Sequence, residues 1–153
     1  MEEDRKYMLM ALEEARAALQ CDEVPIGAII CHNGTPNRPP KIVARAHNLT
    51  ETLNDPTAHA EMQAITAACN TIGGKYLADC TLYVTVEPCP MCAGAIAWAQ
   101  LGRLVYGSDD PKRGFTTLST TPNGFLHPKT QVEKGVCAQE AATLLKDFFA
   151  KKR

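Results

Sequence analysis

Helical and strand patterns alternate along this chain, and that alternation limits what it can fold into more than any other feature. Glu3 to about Cys21 has a helical period, with Met8, Leu12, Ala15 and Leu19 on one face and Glu13, Glu14 and Arg16 elsewhere. Val24-Pro25 ends it. Ile26 to Cys31 and Lys41 to His47 read as strands joined through the turn-rich Asn33–Pro40, which makes a hairpin with a long tip. Ala58 to Ile72 is helical and stops at Gly73-Gly74. Thr81 to Val86 is a strand, Cys89 to about Leu101 an Ala-rich helix, and Leu104 to Gly107 another strand. Ser108 to Pro128 has little period and reads as mostly loop. Lys129 to Lys134 is the last strand, and Cys137 to Lys152 a closing helix burying Ala141, Leu144, Leu145 and Phe148. The order α-β-β-α-β-α-β-loop-β-α predicts an α/β fold. It is a three-layer α/β/α sandwich on a five-stranded mixed sheet, mostly parallel after the first hairpin.

At 153 residues the chain suits one domain, 1–153. Hydrophobic residues at 45% and charged residues at 22% exclude a disordered class. A net charge of -1 argues against a broad non-specific nucleic-acid surface but leaves room for a local basic patch. No apolar run is long enough for a membrane helix. Met1-Glu2-Glu3-Asp4 is acidic where a secretory signal would be basic, so the expected compartment is the cytoplasm. Cysteine usage agrees, because seven is odd and the spacing is no disulfide framework. Cys21, Cys31, Cys69, Cys80 and Cys137 are read as buried free thiols.

Two motifs carry chemistry: His59-Ala60-Glu61 opening a helix, and Pro88-Cys89-Pro90-Met91-Cys92 between a strand and a helix. One imidazole and two thiolates supply three ligands for a tetrahedral zinc and leave the fourth position to water, as catalytic zinc requires. Both cysteines lie at a helix N-terminus, where free N–H groups and the helix dipole favour thiolates. Glu61, two residues from His59, is placed to take a proton from water and pass it to a leaving amine. Taken singly the motifs are weak. C-x-x-C is as often a redox pair or half of a structural zinc site, and His-x-Glu is usually a solvated helix start.

Together, in this order, they are the zinc deaminase signature, and the chain resembles the cytidine deaminase-like superfamily. It is most similar to the tRNA-specific adenosine deaminase family. The resemblance runs through Asp22–Ala28, Asn48, Pro56–Glu61, Leu82–Cys89, Met91–Ala95, Val105–Gly107 and Asp147–Phe149. It implies one Zn2+ per subunit on His59, Cys89 and Cys92, with Glu61 shuttling protons. It also implies that Asn48 and the backbone N–H of Ala60 contact the base and that Val24 packs near it. The implied substrate is a tRNA anticodon loop and the implied assembly a homodimer. Read from the residues alone, Asn48 is a turn residue closing the second strand, and Val24 is plain core.

The chain also departs from the pattern. Trp98 and Gln100 stand where the family has His and Arg, and the Trp98-Ala99 pair resembles guanine deaminases and related small-molecule enzymes. Phe115-Thr116-Thr117-Leu118 replaces a small-residue run, Ala150 stands at an expected basic position, and the hairpin tip Pro36 to Pro40 is enlarged. A deaminase of free bases or nucleosides is therefore the alternative. A zinc-stabilised binding module is a third reading, but it would need four protein ligands and no Glu61. Lys146, Lys151, Lys152 and Arg153 can contact phosphates or simply complement the helix end. Trp98 can stack on a base or cover a subunit interface, and the small residues of its helix favour the interface.

Overall fold

The computed structural model describes residues 2–119 and 125–152. Positions 120–124 of the expected loop, and Arg153 among the C-terminal cations, lie outside the described residues. Ten elements follow one another: α1 (Glu2–Gln20), β1 (Gly27–His32), β2 (Lys41–His47), α2 (Ala60–Ile72), β3 (Cys80–Val86), α3 (Pro90–Trp98), β4 (Arg103–Ser108), α4 (Phe115–Leu118), β5 (Gln131–Lys134) and α5 (Ala138–Lys151). The sheet order is β2-β1-β3-β4-β5. β1 is antiparallel to both β2 and β3, whereas β3, β4 and β5 run parallel.

Period-two alternation divides the core between the two faces of this sheet. On one face Ile29, Cys31, Tyr83 and Val105 pack under Tyr7, Met8, Ala11 and Leu12 of α1 and Ala141 of α5. On the other, Ala28, Ile30, Leu82, Val84 and Leu104 meet Ala60, Ala64 and Ala68 of α2 and Ala93 and Ile96 of α3. All seven residues of β3 are buried, as a strand covered on both sides must be. α1 crosses the start of β1 so closely that a Cβ on Gly27 would strike the Ala11 carbonyl, so only glycine fits there.

The expected three-layer sandwich is therefore present, with local differences. The segment read as loop contains α4, a single turn with no helical period long enough to be seen in sequence. In α5, Ala141 and Phe148 are buried, but Leu144 and Leu145 are only half-buried, because this helix packs along its edge. Cys21 is exposed and Cys69 half-buried, against the expectation of burial, while Cys31, Cys80 and Cys137 are buried; all are free thiols. Among the described residues, no helix is long and apolar enough to cross a membrane.

Candidate active site

The chemistry-bearing motifs meet because α2 and α3 begin at the same end of the sheet. His59 caps α2 from an extended conformation (φ -71°, ψ 157°), and Cys89 caps α3 in the same way (φ -74°, ψ 168°), with Pro90 starting that helix. His59 Nδ1 lies 3.6 Å from Cys89 Sγ and 3.5 Å from Cys92 Sγ. The three ligand atoms lie within 4.8 Å of one another. A tetrahedral zinc with ordinary bond lengths sets nitrogen and sulfur about 3.5 Å apart, so both measured edges fit. Among the described residues no fourth side chain joins this group, which leaves one position open.

The local electrostatics suit a cation. The Cys92 thiol beside Cys89, with His59 next, brings the Cys89 thiol down to about 4 despite its partial burial. Cys92 moves the other way, since it keeps its proton to donate a hydrogen bond to the Cys89 sulfur and is itself buried. The Cys89 hydrogen bond also raises the His59 imidazole. A divalent ion held by these three groups would displace their protons. Glu61, on the first turn of α2, is 4% exposed. Burial pushes its carboxyl up to about 7, in the range where it can both take and give a proton near neutrality.

Two buried carboxylates with no role assigned from sequence hold the loops on either side. Glu23 is fully buried and accepts from Asn48 Nδ2 (3.1 Å), Glu51 N (3.1 Å), and Thr52 N and Oγ1 (2.6 Å each). Asn48 itself is buried just past β2, and the next residue, Leu49, donates to the Ala58 carbonyl at 2.9 Å, one residue before His59. Glu87, just before Pro88-Cys89, accepts from Asp110 N (3.0 Å), Thr116 N (2.9 Å) and Thr116 Oγ1 (2.6 Å). An acid directly after an apolar strand is the sequence signal that could have drawn notice to Glu87; Glu23, four residues before β1, has no such neighbour.

The remaining predicted residues separate. Ala60 is buried as the first residue of α2, where its N–H has no intrahelical acceptor, and Val24 is half-buried next to Glu23. Phe115 is core: it stacks edge-on against Tyr106 with centroids 6.2 Å apart, and its N–H reaches the Pro88 carbonyl. Trp98 is 85% exposed at the end of α3. Lys152 pairs with Asp22 at 2.8 Å, whereas Lys146 and Lys151 are exposed. The tip of the β1–β2 hairpin lies at the opposite end of the sheet, about 20 Å away for six strand residues. A cavity of about 850 Å³ is also at that end, between the tip and Arg103, and His59, Cys89 and Cys92 do not line it.

Residues 2–153 match the family of MafB19-like deaminases. This chain belongs to that family. The deaminase is 42% identical, over its full length and 98% of the relative, to a tRNA-specific adenosine deaminase of Agrobacterium fabrum. It superposes with a TM-score of 0.79 and 42% identity on a structure from studies of A-to-I editing by tRNA:A34 deaminases, covering 92% of this chain and 99% of that one. A guanine deaminase from Bacillus subtilis is also similar, at TM-score 0.61 and 37% identity over 73% of this deaminase and 65% of the other chain.

Proposed function

We propose that this protein is a zinc-dependent hydrolytic deaminase that converts the wobble adenosine of tRNA to inosine. The observation that carries the reading is a buried acid, Glu61, two residues from His59 in a three-residue cluster that has no fourth protein ligand among the described residues. A structural zinc site would have four. The likeness to the Agrobacterium tRNA-specific adenosine deaminase along the whole chain supports the substrate.

His59, Cys89 and Cys92 would hold one zinc ion per subunit. When bound, the ion acts as a Lewis acid that makes water a nucleophile near neutral pH. Glu61 takes the proton from the attacking water and delivers it to the departing nitrogen. A C–O bond forms at C6 of adenine, the C–N bond breaks, and ammonia leaves. Asn48 and the N–H of Ala60 hold the base edge, and Val24 packs against it. Extruding the base is cheap in an anticodon loop, which is already single-stranded. The protein acts as one domain, 1–153, in the cytoplasm, and Trp98 points to a homodimer, since so exposed an indole on a helix of small residues suits a covered face.

The second reading, a free-base deaminase, is favoured by the likeness to guanine deaminase and by Trp98. An anticodon stem-loop bearing wobble adenosine, assayed beside guanine, adenosine and cytidine, decides between them. Ammonia released from the stem-loop alone supports the tRNA substrate; release from a free base alone overturns it.

A further inference from the structure

We propose that Glu23 is a positioning residue whose carboxylate fixes which way the Asn48 carboxamide faces the substrate base. This rests on the reading of Asn48 as a base contact. The two ends of an asparagine amide have nearly the same shape, so packing alone does not choose between them. Hydrogen bonding does. The ionised Glu23 carboxylate can only accept, so it admits the NH2 end of Asn48 and rejects the oxygen. The second amide hydrogen goes to Thr50 Oγ1 at 3.0 Å. Asn48 Oδ1 has no partner among the described residues, so the polarity Asn48 presents is single and set from behind.

Glu23 is built for this task. It is fully buried, and every donor around it points inward: one from Asn48, one from the Glu51 backbone and two from Thr52. Burial opposes its ionisation, but the Thr52 and Glu51 hydrogen bonds outweigh burial and hold the carboxyl below its ordinary value. The turn it clamps is joined at Leu49 to the strand of backbone entering His59. Glutamine at position 23 would set an NH2 group against at least one of these donors, and it would no longer select one orientation of Asn48.

The test is a double-mutant cycle on the zinc-loaded protein: wild type, Glu23→Gln, Asn48→Ala and the pair, with kcat/KM measured on the anticodon stem-loop. Each single change is expected to lower kcat/KM by about tenfold or more, the scale of one lost hydrogen bond to a charged group. The pair is expected to be no worse than Asn48→Ala. Effects that multiply, or a Glu23→Gln protein equal to wild type, overturn the proposal, because a purely structural clamp would act independently of Asn48. The side-chain amide signals of Asn48, followed by 15N NMR without substrate, test the orientation on their own. Slow proton exchange in wild type that quickens in Glu23→Gln supports it, and unchanged exchange overturns it. An Asn48→Ala protein of full activity removes the base contact, and this role of Glu23 with it. A wild type active only on a free base moves the cycle to that base. If Glu23→Gln does not fold, Glu23→Asp, shorter by one methylene, takes its place.

Discussion

Replacing Gly114 by alanine adds one methyl group and tests how the loop beside the site is held. The backbone there is ordinary (φ -64°, ψ 147°), so alanine meets no conformational strain. Space is the obstacle: the new Cβ falls on both oxygens of the Glu87 carboxylate, nearer by roughly 1 Å than the 3.4 Å of ordinary contact. The Glu87 carboxylate has little room to retreat, since the residue is buried and both oxygens are already hydrogen-bonded to the loop. The loop must lift instead, stretching the bonds from Asp110 N, Thr116 N and Thr116 Oγ1. A hydrogen bond to a charged group is worth about 1.5–3 kcal/mol, so losing half of this set costs roughly 2–4 kcal/mol. Stiffening the unfolded chain returns about 0.4–1 kcal/mol. For a domain of this size the remainder lowers Tm by about 5–10 °C. Thermal unfolding of the zinc-loaded protein measures it, with metal content as a control. A Tm equal to or above wild type would mean that Glu87 does not pin the loop and that only the entropic gain of alanine is felt.

Glu61→Gln should retain zinc by metal analysis yet lose at least about a hundredfold in kcat, the usual worth of a proton shuttle; full activity would refute its role. Trp98→Glu should turn the expected dimer into a monomer in light scattering at micromolar concentration, and a wild type already monomeric there would refute the covered-face argument. Asp4, bound by both arms of Arg103 (2.6 and 2.7 Å) and by Tyr83, has its carboxyl held below the ordinary carboxylate value, first by Arg103. A lowered pKa stabilises the fold above the unfolded value of about 3.9 and is lost as pH falls through the folded one. Wild type should therefore exceed Asp4→Asn by about 2 kcal/mol near neutrality, and the gap should close below about pH 4 in denaturant melts.

What could be read from the sequence was what is local. β2 has the bounds its pattern predicts, because alternation and flanking turns act over a few residues. His59, Cys89 and Cys92 come together from two short motifs, and spacing within a motif is itself short-range. Glu23 and Glu87 did not, since the donors that satisfy them arrive from about 29 residues away, at Thr52 and Thr116, and nothing in the spacing ties a carboxylate to a distant turn. Phe115 misled for a related reason. It stands among the departures that raise the free-base or nucleoside alternative, and it is packed against Tyr106 in the core. Asn48 closes β2 as its residue type suggests, and it is buried there, one residue before the Leu49–Ala58 hydrogen bond.

The hairpin tip also takes on a different meaning from its position. Residues 33–39 are exposed, and the Thr35–Arg38 bridge closes the turn on itself. The strands below carry its load through their own ladder, so the tip's length is not felt at the end of the sheet that holds His59, Cys89 and Cys92. Natural variation can collect there without touching catalysis. A fluorophore or a fused domain grafted at that point would report on the enzyme, or tether it to another, from the end of the sheet away from His59, Cys89 and Cys92.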